Sequence, residues 1–320
     1  MSELENLPNI NQLYSWYKIV GSPSRDKIRS GELEIPSGYT KSLVESLIPY
    51  FNNEHKAILV PREKKDSKSL VITSDWHIPF QDDDVLKVFF NFLYEYQPDE
   101  LILNGNINDM TSFSSHPRIR ELANVFRDGK EERKKWFSIA ELLRTILPDS
   151  KIVYIGSKCH EGWLDDWVQQ SPILAEDDNY TLPGWLKLEE FGIEYIPEVY
   201  DPIGNKELLI THGTIARGQS GASARGSMDM EGTSVIVGHT HRLSQVFKTT
   251  AVGETVGLES GCMCQHTPWY HLKGKRMMMD WQQGFVLANF EGNSFSTNCV
   301  PIIRDSGDNP YFWVGKDKYK

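Results

Sequence analysis

The 320-residue sequence predicts an α/β fold: a parallel sheet with crossover helices, then a second sheet of mixed or largely antiparallel strands. A small helical region precedes both. Three observations predict this. Between residues 70 and 155 short apolar runs alternate with amphipathic helical stretches. After residue 190 apolar runs follow one another with short connections and no long helices. Polar signals sit directly behind the apolar runs, as expected where strands end in a shared cleft.

Residues 1–55 read as short helices. Leu13, Trp16, Tyr17 and Ile19 have roughly helical spacing and stop at Gly21; Ser22-Pro23-Ser24 caps a second helix carrying Arg25, Lys27 and Arg29; a third lies near 40–49 and ends at Pro49. The basic middle permits a helix-turn-helix reading, and a docking or capping appendage is the alternative, since no base-reading residues can be picked out. Pro61 to Ser69 reads as a linker or exposed loop. Leu70-Val71-Ile72-Thr73 is a buried strand. Val85, Val88, Phe89, Phe92 and Leu93 mark a helix over 83–96, stopped by Pro98. Leu101-Ile102-Leu103 is the next strand, and a long polar stretch (106–130) leads to a helix near 131–146, whose apolar face holds Trp136, Ile139, Leu142, Leu143 and Ile146. Ile152-Val153-Tyr154-Ile155 is the third strand. This order implies right-handed crossovers and parallel strands. Further strands are expected at 192–196, 207–211, 234–237, 255–259, 284–290 and 296–302, with a glycine- and alanine-rich helix or loop near 214–230. Residues 303–320 read as a polar tail that Tyr311, Phe312 and Trp313 anchor.

Apolar residues make up 39 %, enough for a substantial core, and the longest apolar runs are too short to span a bilayer. A net charge of −10 gives no global attraction for nucleic acid or an anionic membrane, though it leaves room for a local basic patch. Four cysteines (159, 262, 264 and 299) show no disulfide spacing. Cys262, Cys264 and Cys299 read as small buried hydrophobes in a reducing compartment. The polar, acidic start does not resemble a signal peptide. A cytoplasmic protein of a bacterium or a phage-infected cell is the expectation.

The chemistry gathers behind the strands. The signals are Asp75-x-His77, Gly105-Asn106-x-x-Asp109, Cys159-His160-Glu161, His212-Gly213 and Gly238-His239-Thr240-His241. A lone histidine is usually a surface or hydrogen-bonded residue. Here five of the nine histidines follow apolar strands. A strand end is a rigid mount with an open loop beyond it, which suits metal ligands. In an extended segment both members of an x-separated pair share one side. Zinc, manganese and iron all fit nitrogen and oxygen donors. His55, His116, His266 and His271 lack this context and read as surface or local packing residues. Trp76 and the aromatics at 269–270 line a rim or belong to the core.

Taken together, these motifs resemble the calcineurin-like metallophosphoesterases, whose signature runs D-x-H, G-D-x-x-D, G-N-H-[DE], H and G-H-x-H in that order. The likeness covers residues 70–241. Ala222-Ser223-Ala224, Gly238-His239-Thr240-His241-Arg242 and Trp281-Gln282-Gln283-Gly284-Phe285 resemble phage- and bacterium-encoded members. The resemblance implies a four-layer α/β/β/α sandwich with two mixed sheets. It also implies two divalent metal ions (Mn, Zn or Fe). Asp75, His77 and His241 would hold the first, and His212 and His239 the second. The position of Asn106 would bridge them, and that of Cys159 would be an asparagine on the second metal. His160 would stand over the scissile phosphate as charge stabiliser or general acid, while Asp109 and Glu161 orient ligating groups. Asp75 would fix the first metal beside the nucleophile. Arg217 and Arg242 are candidates for phosphate contacts.

The sequence departs from that pattern twice. Asparagine stands at 106 where the family has aspartate, and Gly156-Ser157-Lys158-Cys159-His160-Glu161 replaces Gly-Asn-His-Glu. Aligned without a gap, Cys159 takes the asparagine position; with two residues inserted, Ser157 or Lys158 comes near the metal instead. An amide is neutral and bridges poorly between two dications, so the second site is expected to be weakened. A Cys159 thiolate would restore the lost charge and favour zinc or iron(II). The main functional expectation is metal-dependent hydrolysis of a phosphate ester by a metal-activated water. The ester is a phosphodiester, with nucleic acid or a nucleotide among the candidates, or a phosphomonoester. The alternative is an impaired or inactive family member acting as a binding or structural module. The expected organisation is a helical region at 1–55, a phosphoesterase domain at 56–303 and a tail at 304–320. No membrane partner is expected, and the oligomeric state is open.

Overall fold

The computed structural model describes residue 16, residues 25–35, residue 44, and residues 67–114, 129–170, 173–251, 253–266 and 280–320. Helix α1 (Arg25–Ser30) lies where Ser22-Pro23-Ser24 predicts a capped helix. Apart from Trp16 and Val44, which are helical, the helices expected near 13–19 and 40–49, with His55, His116, His271 and the aromatics at 269–270, fall outside the described residues.

Strand β1 (Ser67–Thr73) is followed by helix α2 (Asp83–Tyr96), β2 (Glu100–Asn104), helix α3 (Gly129–Ile146) and β3 (Lys151–Ile155). Helix α2 starts where the Asp82 side chain accepts from Val85 N, and stops at Gln97 in a left-handed conformation just before Pro98. Capping and proline exclusion thus set both ends. Helix α4 (Gly162–Gln169), helix α5 (Leu182–Leu186) and the strands β4 (Ile193–Ile196) and β5 (Val199–Tyr200) come next. Beyond them lie β6 (Leu208–Thr211), helix α6 (Ala222–Glu231), β7 (Ser234–Val237), β8 (Leu243–Thr250) and β9 (Gly253–Ser260). The chain ends with β10 (Gly284–Glu291), β11 (Ser294–Pro301), β12 (Ile303–Arg304), β13 (Pro310–Val314) and β14 (Asp317–Tyr319).

The first sheet has the order β11-β10-β1-β2-β3-β4, the second β5-β6-β7-β9-β8. Strands β1 to β4 are parallel and β10 and β11 antiparallel to their neighbours; in the second sheet β6, β7 and β9 are parallel, with β5 and β8 antiparallel at the edges. Both sheets are mixed. The last two long strands return to the first sheet, where short connections alone suggested membership of the second.

Alternation along the strands builds the layers. Leu70 and Ile72 of β1, Ile102 of β2 and Val286 and Ala288 of β10 face Ile210, Ile236 and Leu258 of the second sheet. Val71, Leu101, Leu103, Phe285 and Leu287 point the other way, onto Phe89 and Phe92 of α2 and Trp136 and Leu143 of α3. Ala224 and Met228 of α6 cover Val235 and Val237 on the outer face of the second sheet. Helix, sheet, sheet, helix is the four-layer sandwich that the motif resemblance implies.

Trp76 belongs to the core and not to a rim. It is fully buried, donates from Nε1 to Thr73 Oγ1, and packs on Phe89 and Phe90. The segment read as a polar tail folds as the ribbon β12-β13-β14, with Phe312 buried against Phe92 and Phe285 and Trp313 exposed. Among the described residues no helix is long and apolar enough to cross a membrane.

Candidate metal centre

Parallel strands in each sheet end at the same edge, and the polar signals leave from there. Asp75 and His77 follow β1, Asn106 and Asp109 follow β2, and Cys159, His160 and Glu161 follow β3. His212 follows β6, and His239 and His241 follow β7. The backbone there is not extended. Asp75, His77, Asn106, His239 and His241 have φ between 48° and 70°, in the left-handed region. An extended pair would project Asp75 and His77 side by side; the observed turns instead aim each ring separately. Non-glycine residues in this region are uncommon and cluster at functional sites, where the surroundings hold the strain.

Two donor groups flank Asn106. Asp75, His77 and His241 offer ligand atoms all within 4.8 Å of one another, and so do Cys159, His212 and His239. In the first group His77 Nε2 lies 3.0 Å from His241 Nε2, and Asp75 Oδ1 lies 3.6 Å and 3.3 Å from those nitrogens. Burial disfavours a charged His77, yet the Asp109 and Asp75 carboxylates outweigh it and lift its pKa to about 10. Burial works against the Asp75 carboxylate too, but His241 and His212 hold its pKa well below the usual range. The field between these side chains favours positive charge, as a cation site must.

Orienting contacts stand behind the donors. Asp109 Oδ2 accepts from His77 Nδ1 at 2.9 Å, which turns His77 Nε2 to the cleft, where a bound cation would displace its proton. His212 Nδ1 donates to the Asn104 carbonyl at 2.7 Å, and Asn104 Nδ2 donates to Thr211 O. His212 Nε2 is then a buried atom without a hydrogen-bond partner. Burial opposes a charge on this ring, but the Asp75 carboxylate and the Cys159 sulfur outweigh it and lift the His212 pKa to about 9, so a cation at Nε2 would displace a proton. Asp75 Oδ2 accepts from Ser74 Oγ and from His239 N.

Asn106 lies where the groups meet. Its Nδ2 donates to Asp75 Oδ1 at 3.2 Å, its Oδ1 accepts from Ser157 Oγ at 2.7 Å, and Cys159 Sγ lies 3.1 Å from that same oxygen. Cys159 Sγ is 3.7 Å from His239 Nδ1. Burial alone would raise the Cys159 pKa, but His212 and His239 bring it down to about 3. Both alignments of the 156–161 loop place a residue here: Cys159 with the second group, and Ser157 on the Asn106 amide.

His160 donates from Nδ1 to the Asp109 carbonyl at 3.0 Å, and its ring is 4.6 Å from that of His77. Glu161 is buried beneath the loops, where it accepts from Ile107 N, Ser157 N and the Tyr154 hydroxyl. Arg242 turns to Asp280 and to the Arg217 carbonyl, and the Arg217 guanidinium rests against Gly226 of α6. Residues that sequence reasoning missed are Asn104 and Cys264, whose Sγ lies 3.7 Å from His241 Nδ1. Asn104 directly precedes the Gly105-Asn106 signal, so its position was available; its role, through a main-chain carbonyl, was not.

No family model matches the sequence. The chain is 31 % identical over 256 residues to the gene 54 protein of Mycobacterium phage D29, covering 74 % of this chain and 94 % of that protein. It is 30 % identical over 251 residues to the gene 54 protein of Mycobacterium phage L5, with the same two coverages. Among solved structures it is similar to a single mutant of Vps29 from Entamoeba histolytica, at 14 % identity and a TM-score of 0.39, over 77 % of this chain and 99 % of that one. The chain therefore belongs to the family of these phage gene 54 proteins, and its motif order, four layers and two donor groups are those that the resemblance to the calcineurin-like metallophosphoesterases implies.

Proposed function

We propose that the cleft binds divalent cations and, through them, a phosphate ester, and that the chain serves as a binding or structural module in which hydrolysis is impaired. The observation that carries this reading is the Asn106 amide between the two donor groups. A carboxylate there would supply negative charge to two dications about 3.5 Å apart. An amide has one neutral oxygen to give, and its NH2 end repels a cation. In this assignment Asp75, His77 and His241 hold the first cation. Cys159, His212 and His239, with Asn106 Oδ1 turned toward them, hold a weaker second one. The thiolate inclines that second set toward zinc or iron(II), while manganese, zinc and iron all suit the first. Bound cations would supply Lewis-acid charge to the phosphoryl oxygens. Arg217 and Arg242 stay outside the assignment: Arg242 pairs with Asp280, and the Arg217 guanidinium rests against Gly226.

Cys159 favours a second reading, slow metal-dependent hydrolysis, because its thiolate returns the charge that Asn106 lacks. His160 would then act. Its Nδ1 is committed to the Asp109 carbonyl, which leaves Nε2 to hold a proton for the leaving oxygen. The two readings separate in one experiment. Metal per chain is measured by mass spectrometry after purification with manganese or zinc, and turnover is assayed on a nitrophenyl phosphodiester, a monoester and single-stranded DNA. The proposal expects a filled first group, a partly filled second group and turnover at background. It expects Asn106→Asp to raise metal content toward two per chain. Two metals in the native protein, with manganese-dependent turnover that His160→Ala abolishes at unchanged metal content, would overturn it in favour of the enzyme.

A further inference from the structure

A further donor group lies behind the first and shares only His241 with the reading above, on which its effect on the cleft rests. Cys262 Sγ, Cys264 Sγ and a nitrogen of His241 all lie within 4.8 Å of one another, and all three residues are buried. The segment that carries the cysteines is pinned on both sides. Met263 N donates to Asp75 O and Gln265 N to Phe80 O, while Cys262 N donates to Gln282 O and Gly284 N to Cys262 O. In such an extended segment residues two apart share a face. Met263 enters the main core, and the cysteines on either side of it turn toward His241. Trp281 covers the His241 ring at a centroid distance of 4.1 Å.

We infer that Cys262, Cys264 and His241 Nδ1 form a separate site for one thiophilic divalent cation of the zinc class, set back to back with the cleft through the His241 ring. The spacing fits. Two donors bound to zinc at about 2.3 Å (sulfur) and about 2.0 Å (nitrogen) with tetrahedral angles stand roughly 3.5 Å apart, and Cys264 Sγ is 3.7 Å from His241 Nδ1. Charge fits as well. One dication with two thiolates and a neutral imidazole is a neutral assembly, which burial demands. On binding, each thiol gives its proton to solvent and each sulfur forms a bond to the metal. His241 keeps one proton, which moves to Nε2, where Asp75 Oδ1 at 3.3 Å can accept it. The ring is then no longer a donor to the first group. A cation in the rear site and a His241-ligated cation in the cleft exclude one another, so a zinc-class metal at the rear would switch off the front.

Cadmium is a suitable probe, because its thiolate bonds absorb in the ultraviolet. Cys159→Ser removes the thiolate of the cleft and leaves the rear pair intact. Titrating cadmium into that protein should give a thiolate charge-transfer band that saturates at one equivalent with the intensity of two sulfurs. Adding Cys262→Ser and Cys264→Ser should abolish the band. In case those buried changes unfold the chain, cadmium-113 resonance of the Cys159→Ser protein should show coupling to the β-protons of two cysteines, with no further mutation. Manganese bound at the cleft should fall as the rear site fills. A Cys159→Ser protein without a thiolate band, or a band that survives loss of both rear cysteines, would overturn the inference and leave the cleft assignment standing. Failure of manganese to bind the cleft would sink that assignment and leave the rear site untouched.

Discussion

Cys159 shows what a single residue's surroundings do to its chemistry. Burial pushes its thiol toward the neutral form, but His212 and His239 lower its pKa to about 3 from an ordinary value of 9.0. Above that pKa the group is a thiolate, so in metal-free protein its fraction ionised is constant across the neutral range. The rate of alkylation by iodoacetamide at Cys159 should therefore stay flat from about pH 5 to pH 8, whereas an ordinary thiol gains about tenfold per pH unit there. Peptide mapping of the alkylated protein would read this, and a tenfold rise per unit would show that the two histidines do not hold the thiolate. The identity of the cleft residues was legible because each polar signal sits directly behind an apolar run. Their aim was not. The left-handed turns at Asp75, His77, His239 and His241, and the orienting contact that His212 makes with a main-chain carbonyl, leave no mark in residue type.

At the scale of elements, the glycine between β2 and the cleft is what lets two strand ends approach. Gly105 has φ +74°, and a Cβ on it would lie 2.6 Å from the His212 ring. A side chain there carries the left-handed penalty of about 1–2 kcal/mol and must also push His212 off the Asn104 carbonyl. Gly105→Ala should keep the far-ultraviolet circular dichroism of the native protein and lose metal from the second group. Unchanged metal stoichiometry would mean that the close approach does not position His212. Helices α2 and α3 and the buried strands β1, β2, β3 and β7 were legible because their apolar periodicity is strong. Strand β8 was not: Leu243-Ser-Gln-Val-Phe-Lys-Thr-Thr is an edge strand, half-exposed and polar along its length, and only its pairing with β9 defines it.

Over the whole molecule, the least legible part was the C-terminal ribbon, because its polar residues outnumber the few that matter. Phe312 is 1 % exposed and stands in a ring cluster with Phe92 of α2, Phe285 of β10 and Tyr319 of β14. Tyr319 also meets Phe92 edge-on. The ribbon thus packs on the helix–sheet core where α2 meets β10. Phe312→Ala should cost about 3–5 kcal/mol of stability, the range for deleting a buried phenylalanine from a packed core. Trp313, the next residue on β13 but 54 % exposed, is the control: Trp313→Ala removes a larger side chain from solvent and should stay within about 0.5 kcal/mol of the native value. Denaturation in urea followed by circular dichroism reads both. If the two variants shift the midpoint equally, the ribbon is a surface appendage; if only Phe312→Ala does so, the last strands are part of the packed core that carries the sheet.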